Sequence, residues 1–363
     1  MRYRVGELVD SISKKCDFKT DKIIFLNTGD IEDGKIVNNN CYKISDLPGQ
    51  AKKKIKNGDI LFSEIRPKNK RYALVENIDE TNYVVSTKLM VLRNKDSKVL
   101  NMKYFYYFLT SPKMLRYLQS EAEARSGTFP QITFKDNIYP ITINLPSLAE
   151  QNKIVKNIDS IVNKIKNNQK INTNLLQLSQ IMFKNKFPNV NDGPDKIGAY
   201  IRNYDKDRKP LSKKQRSKMP GKYRYIGATS VNDYIAKYNF DGIYLLLGED
   251  GTVQDINGYP VLQYIHGKFW PNNHAHVLQG NKVSTEWLYL FFLQRNIEGI
   301  ITGAVQKKIS QKNLNSLSVT MPNNEELSKF DNIIQPIFEQ IRTLEEENER
   351  LLEIKKELLT NLF

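Results

Sequence analysis

The chain has 363 residues, with 55 Lys and Arg against 40 Asp and Glu, a formal net charge of +15. That length favours two domains over one, and that charge favours a polyanionic partner, with nucleic acid ahead of a membrane surface. The longest apolar runs, such as 243–248, fall well short of the ~18 residues of a spanning helix. The opening segment is too polar for a secretory signal, and Cys16 and Cys41 lack a C-x-x-C spacing, so they read as free thiols in a reducing, cytoplasmic compartment.

In chain order, the first 144 residues carry strand-like runs (DKIIFLN, YVVSTKLMVLR) punctuated by Gly, Asn and Asp, then an aromatic helix at 104–109 and a glycine loop around Gly127. A long helical pattern covers 145–187. Residues 188–198, rich in Pro, Gly, Asn and Asp, end it and read as a linker. Residues 199–320 repeat the mixed pattern, with GIYLLLG, an aromatic helix at 287–292 and Gly303, and 321–363 form a second long helix. The fold class is therefore α/β, two mixed globules with two long helices.

The chain matches itself at one offset. Pro146 maps to Pro322 (322 − 146 = 176), and the match runs without a gap through Ile158 and Ile334, Ile161 and Ile337, Ile165 and Ile341, Leu175 and Leu351, to Phe187 and Phe363. SGTFPQIT around Gly127 matches TGAVQKKIS around Gly303 with a slip of one residue. The preceding hundred or so residues of each half share little. A period this long is a duplication, not a solenoid repeat.

Both helices carry apolar residues at four-three spacing, as in coiled coils, interrupted at the equivalent Asn172 and Asn348 and again at Lys355. Buried Asn in such a seam lowers stability but fixes register. Residues 146–187 hold seven Lys against Glu150 and Asp159, a net +5; residues 322–363 hold five basic against ten acidic residues, a net −5. Opposite charge and internal duplication predict that the helices pair antiparallel about a pseudo-twofold axis, with the globules at opposite ends. Pro336 marks a kink or the true start of the second helix.

At this point the chain resembles the specificity subunits of type I restriction and modification systems. The resemblance rests on PSLAEQNKI after SGTFPQIT, and on GKYRYIGATSVNDYI, FDGIYLLLGEDGTV and NNHAHVLQG in the second half. It implies that 1–144 and 199–320 are target recognition domains, each reading half of a split double-stranded DNA target. It also implies that two methyltransferase subunits dock on the helices, that a motor and nuclease restriction subunit joins them, and that S-adenosylmethionine is held by the methyltransferase partners and not by this chain. The second helix has Glu326 and Leu327 where the first has Glu150 and Gln151, so one partner contact is expected to differ. A recognition subunit of a fused nuclease-methylase system would look the same, and a stand-alone nuclease or methylase is the alternative from another class.

No catalytic signature is found. There is no Pro-Pro dipeptide for an adenine methylase, no G-x-x-x-x-G-K-[ST] and no H-E-x-x-H. Pro194, Asp195, Asp207 and Lys209 only loosely imitate a nuclease pattern, Glu249 and Asp250 read as a turn, and His274 and His276, lacking a third ligand, read as polar loop or DNA-contact residues rather than metal ligands. Base reading needs Arg, Lys, Asn or Gln in a groove, and phosphate anchoring needs placed charge. The first-domain candidates are Arg66, Lys68, Asn69, Lys70, Arg71, Arg125, Ser126, Thr128 and Gln131. In the second domain, Arg208, Lys209, Lys213, Lys214, Arg216 and Lys218 are assigned to phosphate, and Asn272, Asn273, His274, Gln306 and Lys307 nearer the bases. A solvated basic surface explains the same residues. Tyr223 and Tyr225 fit base stacking or a half-buried strand equally well.

Overall fold

The computed structural model describes residues 1–18, 20–303 and 306–363, and they divide into two units: Met1–Lys166 with Glu349–Phe363, and Asn167–Asn348. No helix of the described residues is long and apolar enough to cross a membrane.

The first unit holds two four-stranded sheets. One runs Cys41–Lys43, Lys22–Leu26, Tyr83–Ser86, Ala51–Lys54; the other runs Val9–Ser11, Leu89–Asn94, Ile60–Ser63, Tyr72–Leu74. Tyr83–Ser86 lies parallel to Lys22–Leu26, and the other pairings in both sheets are antiparallel. The second unit repeats this plan. Val231–Ile235, Pro220–Ile226, Lys268–Pro271 and Phe240–Asp241 form one sheet, again with its central pair parallel. Ile201–Asn203, Ala275–Gly280, Tyr244–Gly248 and Leu262–Ile265 form the other. Two domains with little common sequence thus share strand order and direction, because that order is set by which faces are apolar and not by particular side chains.

Met102–Leu109 and Thr285–Leu293 are the aromatic helices. Each buries nearly its whole surface against sheet and long helix; Tyr104, Phe105, Phe108 and Leu109 do so in the first unit, and Trp287, Leu288, Phe291 and Phe292 in the second. The segment 188–198 is not a free tether. Val190 is buried, and Asp195–Lys196 pairs antiparallel with Ser318–Val319. Gly193 packs so closely on that strand that a Cβ would stand 2.1 Å from the Val319 carbonyl oxygen.

The long helices span Leu148–Lys186 and Asn324–Leu362, 39 residues each. Their common opening motif is a capping box: Glu150 and Ser147 satisfy each other's main-chain N–H groups, as do Glu326 and Asn323. Pro336 lies inside the second helix, which starts twelve residues earlier. The residue after the box differs for an internal reason. Gln151 is fully buried, accepts from the Asn101 N–H and donates to the carbonyls of Val99 and Pro146, whereas Leu327 joins the apolar core of its unit. The expected difference in a partner contact at this position is therefore corrected: both side chains face their own domain.

In the second unit the helix segments are antiparallel, with Phe183 and Phe187 edge-on to Phe330 at centroid distances of 5.7 and 5.0 Å. Ile334 and Ile341 are buried in the same core as Trp287, while Ile337 and Leu175 pack at its margin. In the first unit Ile158 shares a core with Leu359, Ile165 is buried, and Ile161 and Leu351 are half-buried. Several seam positions thus serve the domain core as well as the partner helix. The Asn positions do not simply face their duplicates. Asn168 donates to Asn348 (3.0 Å) and Glu347 (2.7 Å), and Asn172 donates to the Ile341 carbonyl (3.2 Å). The duplication maps Asn168 onto Leu344 (344 − 168 = 176), so only one of the two symmetric crossings has a side-chain mate.

Replacing one member of a buried polar pair strands the other, whereas replacing both with apolar groups does not. Asn168→Leu is expected to lower stability by about 1 kcal/mol, and Asn168→Leu/Asn348→Leu to restore or exceed the parent in urea unfolding. A double variant less stable than the single would contradict this.

Candidate nucleic-acid interface

In the first unit, the turn after Ile60–Ser63 and the Gly127 loop are joined main chain to main chain. Ile132 N–H donates to the Glu64 carbonyl (2.9 Å), Arg66 N–H to the Pro130 carbonyl (3.1 Å), and Ile65 bridges Gln131. The second unit makes the same bonds after Tyr244–Gly248: Ile309 N–H to the Glu249 carbonyl (2.9 Å), Gly251 N–H to the Lys307 carbonyl (3.0 Å), and Asp250 bridging Lys308. Gly127 to Gly303 is an offset of 176 and Ile132 to Ile309 one of 177, so the sequence slip is one residue added inside the second loop. Residues 304 and 305 of that motif lie outside the described residues. Gly303 sits at φ +89° with a would-be Cβ 2.1 Å from the Gln306 carbonyl oxygen; Gly127 has neither restriction. That backbone conformation and that close approach are ones only glycine takes easily.

The first-domain candidates converge on one edge. Arg66 and Lys70, at φ +46° and +53°, bracket the short helical turn Pro67–Asn69. Left-handed non-glycine residues persist only where the surroundings hold them. Here Lys68 N–H donates to Gln119, and Arg71 donates to the Ile31 carbonyl. Exposed Arg66 reaches the Thr128 carbonyl at 3.4 Å. Lys68 pairs with Glu123, Lys70 with Asp33 and Arg125 with Asp136, all exposed, and Gln131 donates to Glu64. Ser126 caps the Phe129 N–H within the loop. Such exposed pairs hold weakly in water.

The second-domain candidates divide. Asn273, His274, Gln306 and Lys307 are exposed beside the Gly303 loop, and His274 pairs with Asp250. Asn272 is buried and turns inward, accepting from the His274 N–H. Lys213, Lys214 and Arg216 lie on the short helix Lys213–Ser217, followed by exposed Lys218; Arg216 pairs with Asp233 and stacks on buried Tyr225. The Lys209 carbonyl accepts from the Trp270 indole. Tyr225 is core, but Tyr223 is not. Its ring meets Tyr238 at 4.9 Å, with Lys222 over the first ring and Lys268 over the second. This cation and aromatic patch brings together residues 45 apart in sequence, so spacing gave no sign of it (268 − 223 = 45).

Arg208 is committed inside the domain. It is 12% exposed, bonded to Glu249 at 2.7 Å, and donates to the Asn273 and Ala275 carbonyls. Its assignment to phosphate is corrected: leaving these partners would strand a buried carboxylate. His276, in the strand Ala275–Gly280, is neither a loop residue nor a DNA contact. Buried, it bonds Asp205 through Nδ1 (2.6 Å) and the Ile309 carbonyl through Nε2 (2.9 Å). Ligand atoms of Asp205, Glu249 and His276 lie within 4.8 Å of one another, close enough for a metal cage. Arg208 already supplies the compensating charge, and both imidazole nitrogens are engaged, so the set closes as an ion-pair network.

Comparison with known proteins follows the same division. The sequence profile described as the type I restriction modification DNA specificity domain matches residues 1–177 and 201–356. The chain is similar to the type I restriction enzyme HindI specificity subunit of Haemophilus influenzae, 44% identical over 186 residues, 51% of this chain and 40% of that protein. A second curated protein of that organism is 28% identical over 159 residues, 44% of this chain and 37% of its own length; the matched part spans about two fifths of these relatives. The crystal structure of the S subunit of a type I restriction-modification system from M. genitalium aligns with TM-score 0.55 and 17% identity, covering 100% of this chain and 96% of that one, which shows a common fold.

Both His276 nitrogens face acceptors, which requires the charged imidazolium. Burial opposes that charge, but the hydrogen bond and charge of Asp205, the Ile309 carbonyl and Glu249 outweigh it and raise the His276 pKa above 6.5; Asp205 is lowered by the same pair against its own burial. The histidine contribution is therefore complete below about pH 6.5 and lost as pH rises through the raised value, and the Asp205 contribution is lost as pH falls through its lowered one. His276→Gln is expected to flatten the alkaline side of a melting temperature against pH profile. An unchanged profile would contradict the charged form.

Proposed function

Because the chain belongs to the type I restriction modification DNA specificity family, matched in both halves, we propose that it is the non-catalytic DNA-reading subunit of such an enzyme complex. The two profile matches, each covering one turn-and-loop edge, carry this reading. Residues 1–144 and 199–320 act as target recognition domains, each reading one half of a split double-stranded target. The long helices, 145–187 and 321–363, offer surfaces to two methyltransferase subunits that hold S-adenosylmethionine and methylate adenine, and a motor and nuclease subunit joins for cleavage. The complex works in the cytoplasm.

Within each domain the chain's own residues bind and orient DNA. Arg66, Lys68, Asn69, Lys70, Arg71, Arg125, Ser126, Thr128 and Gln131 form the first reading edge. In the second, Asn273, His274, Gln306 and Lys307 face the bases, while Lys209, Lys213, Lys214, Arg216 and Lys218 attract phosphate. Lys222, Tyr223, Tyr238 and Lys268 extend that surface. Phosphate contacts fix register without carrying sequence, so selectivity rests on the loop side chains.

Three measurements test this reading. The purified chain with S-adenosylmethionine, Mg²⁺ and duplex DNA is expected to transfer no methyl group and cut nothing; activity without partners would contradict it. DNA affinity of the assembled complex is expected to fall with salt at a slope near −0.9 per phosphate neutralised, with Lys213→Ala lowering the slope by about one. Arg66→Ala is expected to relax discrimination at one position by about 1–3 kcal/mol. A flat salt response would remove phosphate anchoring.

A further inference from the structure

The duplicated helices present nearly the same apolar surface to two different domains, with Ile158, Ile161 and Ile165 repeated as Ile334, Ile337 and Ile341. Apolar packing alone gives a domain little means of telling the copies apart. The polar joints do differ. In the first unit, Lys103 of the aromatic helix bonds Asp159 of the long helix (3.1 Å) and Glu76 of its own domain (3.2 Å), and Tyr107 donates to Asp159. Aligning the aromatic helices, Tyr104 with Trp287 (287 − 104 = 183), places Glu286 where the first domain has Lys103 (286 − 103 = 183). Glu286, almost wholly buried, takes bonds from Arg342 (3.2 Å), Tyr264 (2.6 Å) and Gln335 (2.9 Å). Gln335 is the counterpart of Asp159, and Arg342 of Lys166 (335 − 159 = 342 − 166 = 176).

We infer that Lys103 with Asp159, and Glu286 with Arg342, are charge-inverted keys by which each domain docks on its own copy of the helix and rejects the other. On the second helix, Lys103 would find the neutral Gln335 in place of its carboxylate and Arg342 close by. On the first, Glu286 would meet the like-charged Asp159, with Lys166 in the place of Arg342, at a joint about a quarter exposed. Like charge brought together on burial selects against the wrong pairing more strongly than opposite charge favours the right one. The keys concern assembly of the chain and stand apart from DNA reading. They set a rule for recombination: a first-type domain placed in the second position needs its helix key moved with it.

Thermal unfolding of the full chain tests this by giving the second joint the residues of the first. Glu286→Lys is expected to lower the melting temperature by about 6–15 °C, and Glu286→Lys/Gln335→Asp, which rebuilds the Lys103–Asp159 chemistry, to recover at least half of the loss. No loss in the single variant, or no recovery in the double, would overturn the inference. Should Glu286→Lys not fold, the first unit decides, since its pair is a quarter exposed: Lys103→Glu is expected to destabilise and Lys103→Glu/Asp159→Lys to recover, and equal melting temperatures for those two would overturn it equally.

Discussion

The first unit closes its core with a piece of helix from the far end of the chain. Phe363 sits edge-on to Tyr104 (5.3 Å) and Phe108 (5.8 Å), and Leu359 lies in the core that holds Ile158. In the second unit Phe183 and Phe187, from the end of the first helix, pack on Trp287 and Phe330. The first unit is discontinuous in sequence, and the second runs unbroken from one long helix into the other, so both depend on the helices finding their antiparallel register. Contacts between residues about 100 to 260 apart carry a large loop-closure penalty before they are rewarded. A register error would open both cores, which gives the Asn168–Asn348 crossing more consequence than one hydrogen bond carries by itself.

The features legible in the sequence are those set locally. The unbroken offset identifies the helices, and their opening motif is a capping box formed within four residues. What was not legible depends on distant pairing. The identical sheet order of two dissimilar domains leaves no periodic trace, because strand exchange between neighbours is decided by burial across the whole domain. The mate of Asn348 was hidden for a related reason. Duplication identifies which residues are equivalent, but antiparallel crossing identifies which ones meet, and these differ by four positions along the first helix.

The candidate interface was readable as charge but not as availability. Counting basic residues gives Arg208 the same weight as Arg66, yet Arg208 is held by a buried carboxylate and two carbonyls while Arg66 stands on a left-handed turn at the surface. Exposed pairs such as Lys70–Asp33 and Arg125–Asp136 lie between these limits. Their mutual attraction is modest in water, so under the proposed function a phosphate replaces the carboxylate at small loss. Under the proposed function, the net charge of +15 describes the long-range attraction, while the selectivity of each edge rests on a few side chains positioned by the turn-and-loop bonds. Those bonds are the same in both domains, although the residues they hold are not.

Under the proposed function, two equivalent scaffolds with unlike edges make two independent choices of sequence. Methylation mapping of a host in which residues 1–140 are replaced by another such domain, with the joint to the first helix kept intact, tests that claim most directly. The account predicts a split motif in which one half changes while the other half and the spacing are retained. A change in both halves would contradict it.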